Sequence, residues 1–142
     1  MCGRGDQRCW QDHCVVPFVE SDSLNTALQA VDNLGECLLS ALTLTHHGYS
    51  VELQFEHLRQ GRSVPETAVV TVVMKAVQEL HVNGYLSQRM VDHPDEINWG
   101  LSEVAWVTGY PAAAGVGLRV AWENEREITV EAGRVWFSTS PA

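Results

Sequence analysis

The apolar positions of this chain change period as it is read from one end to the other. Leu24, Ala27, Leu28, Val31 and Leu34 recur at steps of three and four, the spacing of one helical face. Asp22 or Ser23 is placed to cap that helix at its start, and Gly35 to end it. Then Leu42-Thr43-Leu44-Thr45 alternates, as do Val51, Leu53 and Phe55 against Glu52, Gln54 and Glu56, the period of half-buried strands. Residues 46–49 supply the glycine of a short connection, so the stretch predicts a β-hairpin.

The next segment predicts a second helix over 63–82. Ser63 and Glu66 have the spacing of a capping box and Pro65 falls in the first turn. Val69, Val72, Val73, Ala76, Val77 and Leu80 form one apolar stripe, and Asn83-Gly84 terminates it. The β-branched run from Val69 to Val73 lowers helix propensity, which leaves a strand over part of the segment as the alternative.

From Tyr85 onward the pattern is β, with strands expected at 85–91, 102–108, 117–122, 127–131 and 134–139. Loops are expected at 92–100 and 110–115. Helix, hairpin, helix and meander together predict an α+β fold: a mostly antiparallel sheet of five to seven strands with two helices packed on one face.

Composition narrows this picture to one domain. The 142 residues, 45% hydrophobic and 19% charged, suit a single globular unit over 15–142. Residues 1–14 form a Cys-rich leader, expected to be poorly ordered unless Trp10, Val15, Val16 and Phe18 dock it. No apolar run approaches the roughly 18 residues of a membrane-spanning helix. No export signal is recognised either, so a soluble, cytoplasmic protein is the expectation.

Charge then weighs against one class of partner. Eighteen acidic against nine basic side chains leave a net −9, a field that repels phosphate backbones. No nucleic-acid or membrane partner is expected. The helix-then-strand rhythm of residues 72–90 resembles a winged helix-turn-helix, but it offers only Lys75 against Glu66 and Glu79.

Candidate chemistry is sparse. Cys2, Cys9, His13 and Cys14 could wrap an ion in principle, yet their spacing lacks the paired ligands of a zinc turn, and no metal or other cofactor is expected. A disulfide among them requires an oxidising compartment. Arg4-Gly5-Asp6 is a tripeptide too short to carry meaning. His46 and His47 at the hairpin tip, with His57 at the far end of the returning strand, do not converge. The acidic stretch 92–96 lacks a calcium-loop pattern. Gly115-Val116-Gly117 lacks the third glycine of a dinucleotide loop, and no nucleophile motif is present, so no catalytic residue is nominated.

Tryptophan and glutamate say more. Trp122 shares a face with Leu118 and Val120 and reads as core. Trp136 alternates against Val135 and Phe137 and is pushed outward, beside Glu123, Glu125, Glu127, Glu131 and Arg134. These six residues are the expected contact surface of an acidic binding protein, of immunity or inhibitor type, that neutralises or modulates a basic protein partner. The alternatives are a small-molecule-binding or enzymatic domain with a pocket between sheet and helices, polar at His81, His93, Glu103 and Tyr110, and a homodimer or larger structural homo-oligomer joined by edge strands or a helix face.

Overall fold

The computed structural model describes residues 8–10, 13–15, 17–56, 68–84, 86, 88–96, 103–123 and 126–141. In chain order the elements are β1 (Arg8–Trp10), β2 (His13–Val15), α1 (Ser21–Gln29), β3 (Leu38–Thr45), β4 (Ser50–Glu56), β5 (Ala68–Asn83), α2 (Gln88–Asp92), β6 (Trp106–Ala112), β7 (Gly115–Ala121) and β8 (Glu127–Pro141). Strands β1 and β2 pair with each other, and the other six form one antiparallel sheet in the order β3-β4-β5-β8-β7-β6. The fold is thus mostly β, with two short helices.

The spine of the sheet is the pair β5 and β8, matched from Ala68↔Pro141 to Asn83↔Glu127. Strand β4 pairs with the first half of β5, whereas β7 pairs with the first half of β8, so the two outer hairpins attach at opposite ends of the spine. Two main-chain bonds then tie the residues entering β3 to those entering β6. Glu36 N–H donates to Val104 O at 2.7 Å and Val104 N–H to Cys37 O at 2.9 Å.

One face of the sheet carries the core. Val51, Leu53, Phe55, Val70, Val72, Met74, Val116, Leu118, Val130 and Val135 are all fully buried and belong to one cluster with Leu24 and Leu28 of α1. This inner face stays apolar along the whole spine only because both long strands break their alternation. In β8 the inward set runs Ile128, Val130, Ala132 and then Val135, a step of three. In β5 it runs Val70, Val72, Met74 and then Val77 and Leu80, two steps of three. The break is centred on Ala76, whose φ is +61°, and a register shift falls between Val77 and Glu79. Such an irregularity re-aims every later side chain in the strand.

This is where the expected second helix fails. Residues from Ala68 onward form the long strand β5, and the three-residue steps imposed by its irregularities imitate a helical period. The β-branched run follows its own propensity instead. Residues 63–67 lie outside those described. The expected strand at 85–91 is also replaced, since Gln88–Asp92 is helical with Met90 buried. Residues 110–112 belong to β6 rather than to a loop, and the two final expected strands are one continuous β8. The hairpin at Leu38–Glu56 matches expectation, including its turn at His46–Gly48.

Helix α1 is also shorter than its apolar spacing implies. It ends at Gln29, its N-cap is Glu20 without a side-chain bond, and Asp22 and Ser23 lie inside its first turn. Asp32, Asn33 and Leu34 then all adopt positive φ, between 53° and 57°, and Gly35 does not (φ −64°). Asp and Asn tolerate that conformation better than most residues, while Leu34 is held in it by full burial.

Candidate functional site

The rim strand β6 is shielded by amides rather than by another strand. Asn25, on α1, donates through Nδ2 to Gly109 O at 3.0 Å and accepts from Gly109 N–H at 2.7 Å. Asn33 donates to Val107 O at 3.3 Å. Pro111, two residues further along, has no N–H to offer. Gly109 permits this contact, because an added Cβ would stand 3.1 Å from Leu24 Cδ2.

Among the described residues, the outer face of the sheet, opposite α1, carries a continuous set of polar and aromatic side chains. Strand register arranges it in cross-strand rows. One row is Asn83, Glu127, Ala121 and Trp106; the next is His81, Thr129, Arg119 and Thr108; a third is Glu79, Glu131, Gly117 and Tyr110. Beyond the break at Ala76 come Ser50, Lys75 and Arg134, then Glu52, Val73 and Trp136.

Two tryptophans mark opposite ends of this face and have different surroundings. Trp136 is half-buried, with Lys75 Nζ 5.1 Å and the Arg134 guanidinium 5.8 Å from its ring centre. Arg134 also donates to the Tyr49 hydroxyl at 3.0 Å. Trp106 is 43% exposed, with the Arg119 guanidinium 5.9 Å from its ring centre and Arg119 Nε bonded to Glu127 Oε1 at 2.7 Å. Glu123, exposed, lies two residues beyond Ala121, the register partner of Trp106. The exposed aromatic next to glutamates is therefore Trp106, while the nearest charges to Trp136 in the register are cationic.

Between them Tyr110 donates its hydroxyl to Glu131 Oε2 at 3.0 Å. Burial, then the hydrogen bond and negative charge of Glu131, push its phenol up to about 12, against a smaller opposing effect of a hydrogen bond with Thr129. Glu131 faces Glu79 across the spine, and Glu79 pairs with His81 at 2.8 Å. His81 and Tyr110 thus stand in adjacent rows on the outer face, away from α1. His93 follows α2 and Glu103 precedes β6, on separate connections.

Of the six expected contact residues, Glu127, Glu131, Arg134 and Trp136 lie on this face, Glu123 lies at the turn after β7, and Glu125 is outside the described residues. Trp122 is core, 4% exposed, with the Arg126 guanidinium 4.0 Å from its ring centre. Sequence reasoning missed Trp106, Arg119, Lys75 and Tyr49. Trp106 was hidden because Ala105 N–H bonds Ala121 O while Trp106 also opposes Ala121, a local irregularity that shifts its phase from Val104.

Cys2 and His57 lie outside the described residues, and His46 bonds the buried Ser50 hydroxyl at 3.3 Å through Nδ1. Among the described residues no group of three or more His, Cys, Asp and Glu side chains could hold a metal ion. Also among them, no helix is long and apolar enough to cross a membrane. No protein-family model, curated protein or solved structure matches the chain.

Proposed function

We propose that this is an acidic binding protein, of inhibitor or immunity type, that engages a basic protein partner through the Trp106 end of its outer sheet face. The observation that carries the reading is Trp106, left 43% exposed beside Arg119 and Glu127. An accessible tryptophan presents a large apolar area at little conformational cost, and such residues dominate binding energy at interfaces. The Arg119–Glu127 pair joins the two strands beside it, and the exposed Glu123 adds a carboxylate at the margin. The net charge of −9 steers a basic partner toward the molecule.

The test is capture of proteins from host-cell extract on immobilised protein, comparing wild type with Trp106→Ala, a Glu123→Lys/Glu127→Lys double variant, Trp136→Ala and a Gln29→Ala control on α1. The reading expects one basic protein whose retention falls at least tenfold in the first two variants and stays unchanged in the control. Retention that survives both Trp106→Ala and the charge reversal defeats it. Loss confined to Trp136→Ala moves the contact to the other end of the face.

A further inference from the structure

The breaks in β5 and β8 meet where the two strands carry their cations. Lys75 is the last residue before Ala76 and Arg134 the first after Gly133, and the two are register partners on the outer face. Gly133 comes so close to the break that an added Cβ would stand 3.3 Å from Ala76 Cβ. Just past it, Val77 N–H donates to Tyr49 O at 3.1 Å and holds the end of the β3–β4 turn against β5. Tyr49, 48% exposed, thereby meets Arg134, whose Nη2 donates to its hydroxyl at 3.0 Å.

Like charges directly opposite each other in a sheet repel. Among the described residues neither Lys75 nor Arg134 forms an ion pair with a carboxylate, although the chain is acidic. Glu52 stands in the neighbouring row with Trp136, on the far side of Val73. Both cations rest instead on the half-buried Trp136, with Lys75 Nζ 5.1 Å and the Arg134 guanidinium 5.8 Å from the ring centre. The left-handed Ala76 beside them, at φ +61°, is the kind of strained residue that clusters at ligand sites.

We propose that Lys75, Arg134 and Tyr49 form a binding site for the phosphate group of a small molecule. A dianion set against both cations replaces their repulsion by two charge-assisted contacts. The Tyr49 hydroxyl accepts from Arg134 and so keeps its own proton to donate to a phosphate oxygen. The overall charge of −9 repels a polyanion, which restricts the ligand to a small phosphate compound.

The test titrates the full chain, labelled with nitrogen-15, with inorganic phosphate and separately with glycerol phosphate, at constant ionic strength set by sodium chloride. The expected response is a saturating shift of the Trp136 indole N–H and Arg134 Nε–H signals, half-complete below about 10 mM. The Trp106 and Arg119 signals, at the other end of the face, should not move. Lys75→Gln and Arg134→Gln should each weaken binding at least tenfold, whereas Lys75→Arg should keep it within threefold. Urea midpoints in phosphate-free buffer establish that each variant is folded. Tighter binding of glycerol phosphate assigns a monoester as the ligand, and equal binding the free ion. Shifts that stay linear with concentration overturn the proposal, and so does saturation that survives both glutamine variants.

Discussion

The ring of Tyr110 lies across Gly117, its register partner on β7, in the space where a side chain would stand. A Cβ added at Gly117 would overlap the ring, and the ring is also anchored at its far end by the hydrogen bond to Glu131. Gly117→Ala is therefore expected to destabilise by about 1–3 kcal/mol, the usual range for overpacking. A double-mutant cycle in urea checks this. In a Tyr110→Ala background the same glycine substitution should cost less than half as much.

Tyr110 also makes stability depend on alkaline pH. Its phenol is raised to about 12 in the folded chain, against an ordinary 10.0. A group whose folded pKa is raised contributes stability that is complete below the unfolded value and lost as pH rises toward the folded one. Between pH 10 and 12 the wild type should therefore lose stability that Tyr110→Phe does not lose. Urea midpoints of both proteins at pH 9 and at pH 11.5 provide the comparison, and a constant difference between them would contradict it.

The amide of Asn25 serves the main chain of Gly109 as both donor and acceptor. Asn25→Ala leaves both Gly109 groups to compete for water at a half-buried site, with an expected loss of about 1–3 kcal/mol. Asn25→Asp keeps the acceptor and loses the donor, so its loss should fall between the two proteins. Hydrogen exchange at the Gly109 amide should accelerate in Asn25→Ala by more than exchange in the β5–β8 spine does.

These contacts show which parts of the fold were legible in the sequence. Leu24 and Leu28 announced α1, and Val51, Leu53 and Phe55 announced β4, because each sits in a segment of unbroken period. The long strand β5 reads as a helix in the sequence because Val69, Val72, Val73, Ala76, Val77 and Leu80 recur at steps of three and four, and the irregularity around Ala76 is what brings Val77 and Leu80 back to the core side of a strand. Asn25 and Asn33 gave no local signal, because their partners on β6 lie 84 and 74 residues away, and Trp106 is turned outward by the irregularity at Ala105. Trp136 was placed on the correct side by alternation with Val135 and Phe137, but Lys75, its nearest cation, comes from a segment assigned to the wrong element.

Ala76 stands at the centre of that irregularity with φ +61°. A left-handed non-glycine residue costs about 1–2 kcal/mol, and glycine in the unfolded chain gives back about 0.5–1 kcal/mol of that. Ala76→Gly is expected to stabilise by about 0.5–1 kcal/mol on the same balance. Ala76→Val should destabilise, because a β-branched residue fits that conformation still less well. Thermal melts of the two variants should shift in opposite directions.

The paired three-residue steps in β5 and β8 also bear on which changes in gene length this fold can absorb. Removing one codon near Gly133 would restore strict alternation in β8 with Val135 and Phe137 still facing the core, but would leave the break at Ala76 in β5 without its counterpart. Removing one from the evenly alternating stretch 127–131 would instead set Ile128 on the outer face. A single-residue deletion in an evenly alternating stretch of either strand is thus not a local change; it inverts every residue on one side of it. Only a compensating length change within the same strand, before its core contacts resume, would return the lineage to a foldable sequence, whereas the connection between β3 and β4 could change length without reversing any face.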